Sequence, residues 1–367
     1  MNKRIKKAPY KKQISLLNHY NGKNYEIAEK VSKNLFKKYP KDHFSLKILS
    51  LVYAERNELS KAIEIAQMAL TISLNKDPDC FNNLGHIFTR LGDHKNAEIN
   101  YKKAIKLKPD FFQAYKNLGS LFQSIGKYED AKKNLKSALE INDDTQTRHL
   151  LNSLSDIDNS DLAMEYAKKL HDDKAVFFDN LLTSKLEYKL PKIVTNLLTK
   201  NNNRSRLGRI LDMGCGTGLF GEEIKSFCDY LEGVDISQSM LNEAIKKNVY
   251  DNLINRDIVD YLENFDLNFD IFISLDTFIY IGDINEIFEL IVKRNKSKGM
   301  FIFSIELNKN NDKKSYNLEN SGRYSHKEIY IDDLCKKFNY KKIYFEEIKI
   351  RKEKDSYIPG GLYILEF

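Results

Sequence analysis

The sequence is poor in cysteine and has no long apolar run. Its four cysteines, Cys80, Cys215, Cys228 and Cys335, lie scattered over 367 residues. They show neither metal-ligand spacing nor the density of a disulfide framework, so free thiols in a reducing compartment are expected. The first residues, Met1-Asn-Lys-Arg-Ile-Lys-Lys7, have the charge of an export signal but no apolar stretch behind it. No run approaches the roughly 20 apolar residues of a bilayer-spanning helix. A cytoplasmic protein with no membrane partner is the expectation. No metal cluster is visible, and none is expected. The net charge of +7 comes from Lys spread along the whole chain, which indicates no nucleic-acid partner. The length is ample for two domains, each with its own core.

Two consecutive blocks, residues 78–111 and 112–145, repeat one another. Phe81, Leu84, Gly85, Phe88, Ala97, Tyr101, Ala104 and Pro109 of the first correspond to Tyr115, Leu118, Gly119, Phe122, Ala131, Leu135, Ala138 and Asp143 of the second. Glycine and alanine let two antiparallel helices cross closely, aromatics fill the gap, and Pro109 cannot continue the second helix. The series resembles the tetratricopeptide repeat. Weaker copies precede it in Leu46, Leu49, Tyr53, Ala62, Ala66 and Ala69, and in Ala28, Leu35 and Pro40. Units are expected at about 9–42, 43–77, 78–111 and 112–145, with a capping helix near Thr147 to Leu154, because an isolated hairpin cannot cover its own apolar face. First-helix positions outside the packing pattern are Asn82, His86 and Arg90 in one unit and Lys116, Ser120 and Gln123 in the next. They are expected to line a groove for a protein or peptide, with an ordinary solvated helix face as the alternative. The acidic, Ser- and Asn-rich stretch that follows places a linker at 153–165.

Beyond it, Arg209-Ile-Leu-Asp-Met-Gly-Cys-Gly-Thr-Gly-Leu219 reads as a strand that ends in a tight loop and opens a helix. Glycines at 214, 216 and 218 suit positive φ and let a ligand approach bare backbone. A dinucleotide fingerprint wants its third glycine at position 219, which is Leu219, so a nicotinamide cofactor is disfavoured. The next strand ends in Asp235, where a carboxylate can accept both hydroxyls of a ribose. Loop and acid together outline a nucleoside pocket.

The segment Leu211 to Gly218, followed by Gly233-Val-Asp-Ile-Ser-Gln-Ser-Met-Leu241, resembles the first two motifs of class I S-adenosylmethionine-dependent methyltransferases. Another Rossmann-like nucleotide binder is the alternative. The resemblance implies S-adenosylmethionine as cofactor, with Asp212, Gly214, Cys215, Gly216, Gly218, Asp235, Ile236 and Met240 around it. It also implies Asp257 at the adenine amino group and Asp276 at the end of the fourth strand. The chain is further similar to bacterial repeat-bearing methyltransferases. There a segment like Phe177-Phe-Asp-Asn-Leu181 and Leu186-Glu-Tyr-Lys-Leu-Pro191 covers the cofactor, and an element like Gly322-Arg-Tyr-Ser-His326 precedes the last strand pair. That similarity makes Tyr188, Tyr280, Arg323, Tyr324 and His326 the substrate-side candidates. For an oxygen or nitrogen acceptor, His326 and Asp276 are the candidate bases.

Phe269 to Asp276 is an almost continuous apolar run, as in a strand buried on both faces. Gly299 to Glu306 reads as the fifth strand, and Lys342 to Ile350 with Gly361 to Phe367 as a closing antiparallel pair. The expected fold is a two-domain chain: an all-α tetratricopeptide-repeat solenoid over 1–152, then an α/β, Rossmann-like, seven-stranded methyltransferase fold over 166–367. Three functions follow: a methyltransferase whose repeats recruit a protein acceptor, a small-molecule methyltransferase whose repeats serve assembly, and a non-catalytic repeat scaffold with a relic cofactor site. Intact Asp212, loop glycines and Asp235 count against the relic.

Overall fold

The computed structural model describes residues 7–155, 157–200, 206–310, 314–353 and 356–367, and the chain divides into compact units at 1–151 and 152–367. In the first unit, α1 (Tyr10–Asn21) packs on α2 (Tyr25–Lys38), α3 (Phe44–Glu55) on α4 (Leu59–Ile72), α5 (Pro78–Leu91) on α6 (His94–Leu107), and α7 (Phe112–Ser124) on α8 (Tyr128–Ile141). Helix α9 (Thr145–Ser153) follows.

The repeat residues explain these hairpins. A Cβ on Gly85 would sit 2.6 Å from the Tyr101 ring, and one on Gly119 would sit 2.8 Å from Leu135. Glycine at the first position of each pair is therefore what lets the second helix lie against the first. Asp77 caps α5 by accepting from the Asp79 N–H, with Pro78 in the first turn. Gly92 and Gly126, at φ +84° and +79°, turn the chain between α5 and α6 and between α7 and α8.

The expected groove is where the first unit departs from the sequence reading. His86 and Arg90 face Glu55 on α3 at 3.7 and 2.9 Å, and Lys116 binds Asp144 and Gln146 at 2.8 and 2.9 Å. Asn82 is buried and accepts from Asn117 of α7 at 3.0 Å. These side chains tie neighbouring helices of the stack together, so Asn82, His86, Arg90 and Lys116 each have a partner within the chain. Ser120 and Gln123 are half-buried on α7.

In the second unit, the expected linker is shorter than 153–165. Helix α10 (Ser160–Lys174) starts inside it, because the Asn159 side chain accepts from the Leu162 N–H and caps the helix. Asn and Ser at helix starts have the same composition as a loop, which is why the stretch read as one. Short turns at Ala175–Phe177, α11 (Phe178–Asn180) and a π-turn at Leu181–Lys185 lead to α12 (Leu190–Lys200).

The sheet then forms from β1 (Arg209–Met213), β2 (Tyr230–Asp235), β3 (Asn252–Asn255), β4 (Ile271–Ser274), β5 (Met300–Glu306), β8 (Lys341–Glu353) and β9 (Ser356–Glu366), in the order β3-β2-β1-β4-β5-β9-β8. Strands β1 to β5 run parallel; β9 is antiparallel to β5 and to β8. A small ribbon pairs β6 (Tyr316–Leu318) with β7 (Tyr324–His326). Period-two alternation sorts the core: Leu211, Phe272, Phe301 and Phe303 pack on one face beneath α15 (Ile258–Asn264), α16 (Asn285–Arg294) and α17 (Glu328–Phe338), while Ile210, Ile271, Ile273 and Ile302 pack on the other beneath α12 and α13 (Leu219–Ile224). Helix α14 (Gln238–Lys247) connects β2 to β3.

The last strand, read from Gly361 in the sequence, begins earlier at Ser356, so Pro359 and Gly360 also lie inside β9. Gly360 is required there because a Cβ would come within 2.1 Å of Ile350. Strand order reverses at β1, whose neighbours are β2 and β4, and ligands of such sheets bind at the carboxyl ends of the strands beside that reversal.

Candidate functional site

A cavity of about 1300 Å³ opens at that edge, lined by residues from α10, β1, the glycine loop, β2, the loop after β4, β7 and β8. One side is built by the loop after β1. Gly214, Gly216 and Gly218 all have positive φ, of 77°, 54° and 85°. Their reasons differ. A Cβ on Gly214 would lie 2.4 Å from Thr277, whereas one on Gly216 meets nothing within 4 Å. Thus Gly214 is small because Thr277 packs on it, and Gly216 is the bare backbone beside the cavity.

Two carboxylates stand behind this loop. Asp212 in β1 is buried and accepts from the Tyr250 hydroxyl at 2.6 Å. Burial pushes its pKa up to about 7, opposed by the Tyr250 hydrogen bond and reinforced by Asp235. Asp235, the last residue of β2, accepts from the Gly216 and Ser237 N–H groups at 2.9 and 2.8 Å, and burial pushes it up to about 6 against those bonds. Neither has a cationic partner among the described residues. Ile236, Met240 and Asp257 line the same side; Asp257 Oδ1 caps α15 by accepting from Val259 and Asp260. Cys215 also lines it, with its thiol held neutral by burial.

The segment after α10 closes over the loop through polar ties. Asp179 accepts from Thr217 Oγ1 and pairs with Lys247 at 2.6 Å, while Asp172 accepts from Ser237 Oγ at 2.6 Å. Tyr188 is buried in the cavity wall.

The opposite side carries most of the charge. Arg351 of β8 binds Asp276 and Glu306, and Arg323 binds Glu306 at 2.8 Å and both oxygens of Glu353 at 3.0 Å. Asp276 sits at φ +56°, its N–H donating to Ser304 Oγ at 2.8 Å. Burial lifts its pKa to about 6 although Arg351 opposes this, while Asp276 and Glu306 hold Arg351 charged. Tyr280 and Tyr324 also line this side, and the Tyr324 hydroxyl donates to Asp158.

His326 is the candidate that the structure removes. It is fully buried, is absent from the cavity wall, and bonds the Gly282 carbonyl through Nε2 at 2.8 Å. Burial drops its pKa to about 4. Its role is to hold β7 against the loop after β4. The histidine that does face the cavity is His171 on α10, set edge-on to Tyr280 at 4.9 Å, with Lys174 one turn further on. Sequence reasoning missed both, and also Tyr250 and Arg351. The available signals were the i, i+3 spacing that puts His171 and Lys174 on one helix face, and a charged residue at an inward position of a strand.

Comparison with known proteins gives the same two-part division. A methyltransferase-domain family matches residues 211–303, and tetratricopeptide-repeat families match residues 78–111 and 100–133. A Bos taurus 18S rRNA (guanine-N(7))-methyltransferase is 32% identical over 85 residues, which are 23% of this chain and 30% of that protein; the match therefore spans under a third of the relative's length. Among solved structures, an S-adenosylmethionine-dependent methyltransferase from Clostridium acetobutylicum is 19% identical, over 54% of this chain and 99% of the other, with a TM-score of 0.41. Magnesium protoporphyrin IX methyltransferase from Synechocystis is 15% identical over 57% and 97%, with a TM-score of 0.43. The chain thus joins tetratricopeptide repeats to a C-terminal methyltransferase domain with a seven-stranded, mostly parallel sheet.

Proposed function

We propose that the C-terminal unit binds S-adenosylmethionine and transfers its methyl group to an acceptor in the same cavity. The observation that carries this is the pair Asp212 and Asp235, two buried carboxylates at the ends of adjacent parallel strands, without a cation beside them and with Gly216 open in front. Carboxylates whose pKa rises on burial are sites where a cationic ligand gains most. S-adenosylmethionine bears an ammonium and a sulfonium, so the donor set fits it. Asp235 still has free lone pairs for the ribose hydroxyls after accepting from two N–H groups. Asp257 retains Oδ2 for an exocyclic amine.

The cofactor supplies an activated methyl carbon when bound, and in-line displacement then asks of the protein mainly alignment. Asp212 and Asp235 fix one end, Tyr188 and the segment tied down by Asp179 exclude water, and Tyr280 and Arg323 flank the space left for the acceptor. Ligand sites commonly enclose about 300–1,000 Å³; this cavity holds about 1300 Å³, room for a second small molecule, which favours a small-molecule acceptor. The second reading, a protein acceptor recruited by the repeats, is favoured by the tetratricopeptide architecture itself. A methyl-label transfer assay on cell lysate fractionated by size separates the two.

Isothermal titration with S-adenosylhomocysteine tests the cofactor assignment. Asp235→Ala is expected to weaken binding by about 1.5–3 kcal/mol, as for hydrogen bonds to a charged group. Unchanged affinity overturns the assignment.

A further inference from the structure

Among the described residues, five cationic side chains line the cavity, and four of them hold a carboxylate. Arg256 faces Asp260 at 3.6 Å, Arg323 holds Glu306 and Glu353, Arg351 holds Asp276 and Glu306, and Lys352 faces Glu187 at 3.5 Å. Lys174 holds none: among the described residues its ammonium has no hydrogen bond or ion pair. Of the carboxylates on the cavity wall, Asp158 accepts from Tyr324, Asp283 from Tyr330 and Glu353 from Arg323; the carboxylate whose charge acts on Lys174 is Asp173, its neighbour in the chain.

Resting on the methyltransferase reading, we propose that the acceptor carries an anionic group, a carboxylate or a phosphate, and that Lys174 binds it inside the cavity. The geometry places Lys174 on the acceptor side. It lies one helical turn from His171, whose ring meets Tyr280, and Asp276 and the Arg323 network stand on the same side. Lys174 is exposed at the cavity wall, where burial and then the charge of Arg323 pull its pKa down and the neighbouring Asp173 carboxylate opposes them. His171 is neutral, its pKa lowered to about 4 by burial and by Lys174. It therefore supplies no competing charge, and an anion arriving here relieves the repulsion between Lys174 and Arg323. An ammonium bound to an anion in a partly desolvated site gains far more than one on the surface.

The test uses the full chain and pyridoxal 5′-phosphate, an anionic aldehyde that forms an imine with unprotonated lysine, trapped with borohydride and located by peptide mass spectrometry. Lys174 is expected to be modified several-fold faster than the other lysines, and inorganic phosphate or acetate to protect it. Whichever protects at the lower concentration identifies the anionic group. In parallel, the protecting anion should raise the melting temperature of the parent but not that of Lys174→Met. Modification of Lys174 at the rate of surface lysines, or absence of protection by both anions, overturns the proposal. S-adenosylhomocysteine titration of the same samples keeps the two readings apart. Loss of cofactor binding in the parent refutes the methyltransferase reading, whereas normal cofactor binding without anion protection refutes only the role of Lys174.

Discussion

Gly214 and Gly216, alternate glycines of one loop, are small for different reasons, a packed neighbour at Gly214 and open space at Gly216, and the difference predicts different phenotypes. An alanine at Gly214 meets Thr277 at 2.4 Å and keeps φ +77°, so Gly214→Ala is expected to lower stability; the backbone conformation alone costs about 1–2 kcal/mol. Gly216→Ala meets no atom within 4 Å. It should lose about the conformational term in stability but a larger factor in S-adenosylhomocysteine affinity, read by urea unfolding and by titration. Full affinity in Gly216→Ala means that no ligand lies on that backbone. Asp212 gives a pH prediction. Burial raises its pKa from 3.8 to about 7, so its stabilising contribution is complete below about pH 4 and is lost as pH rises through about 7. Asp212→Asn removes that titration and keeps an acceptor for Tyr250. The variant is therefore expected to gain stability relative to the unliganded parent as pH increases over this window. A difference in melting temperature that does not change with pH excludes the raised carboxylate.

Between elements, the repeats show how far sequence reasoning reaches. The Gly85–Tyr101 and Gly119–Leu135 pairs were legible because each repeat presents them at fixed spacing, and the helices they join follow. The pairing of the groove residues was not legible, since whether Arg90 or Lys116 is free depends on Glu55, an acid of the preceding repeat, and on Asp144, at the far end of Lys116's own repeat just before α9. Changing Asn82, Arg90 and Lys116 together to Ala is accordingly expected to destabilise the repeat unit, seen as earlier unfolding in urea, by removing three ties between helices of the stack. Partly buried ties of this kind are each worth about 0.5–1.5 kcal/mol. Unaltered unfolding returns these side chains to the role of a solvated groove. The cavity divides in the same way. Its cofactor side comes from one contiguous strand, loop and strand, so Asp212, the glycines and Asp235 could be read in order. The opposite side is assembled from α10, the loop after β4, β7 and β8, far apart in sequence. His171, Lys174 and Arg351 accordingly carried only the weak signals of helix spacing and strand alternation, and His326, which stood in a recognisable motif, turned inward.

For the whole molecule, the contacts of α10 decide where the catalytic unit begins. A boundary at 166, as the sequence suggested, removes the first six residues of α10 and discards the Asn159 cap and Asp158, which receives the Tyr324 hydroxyl. What remains of the helix must still carry His171 and Asp172, the latter tied to Ser237 Oγ at the start of α14. A helix shortened to about nine residues without its cap is marginal, since capping alone contributes about 1 kcal/mol and short helices need packing to persist. The contact boundary at 152 retains all of these groups. A fragment spanning 152–367 is therefore expected to unfold cooperatively and to bind S-adenosylhomocysteine with the affinity of the full chain. A fragment spanning 166–367 should melt lower and bind more weakly, because the wall of the cavity formed by α10 frays. Equal melting temperature and affinity for the two fragments would show that α10 is dispensable to the site and would move the functional boundary back to 166. Failure of the longer fragment to bind, with the full chain binding normally, would instead make the repeats part of what holds the cofactor site together.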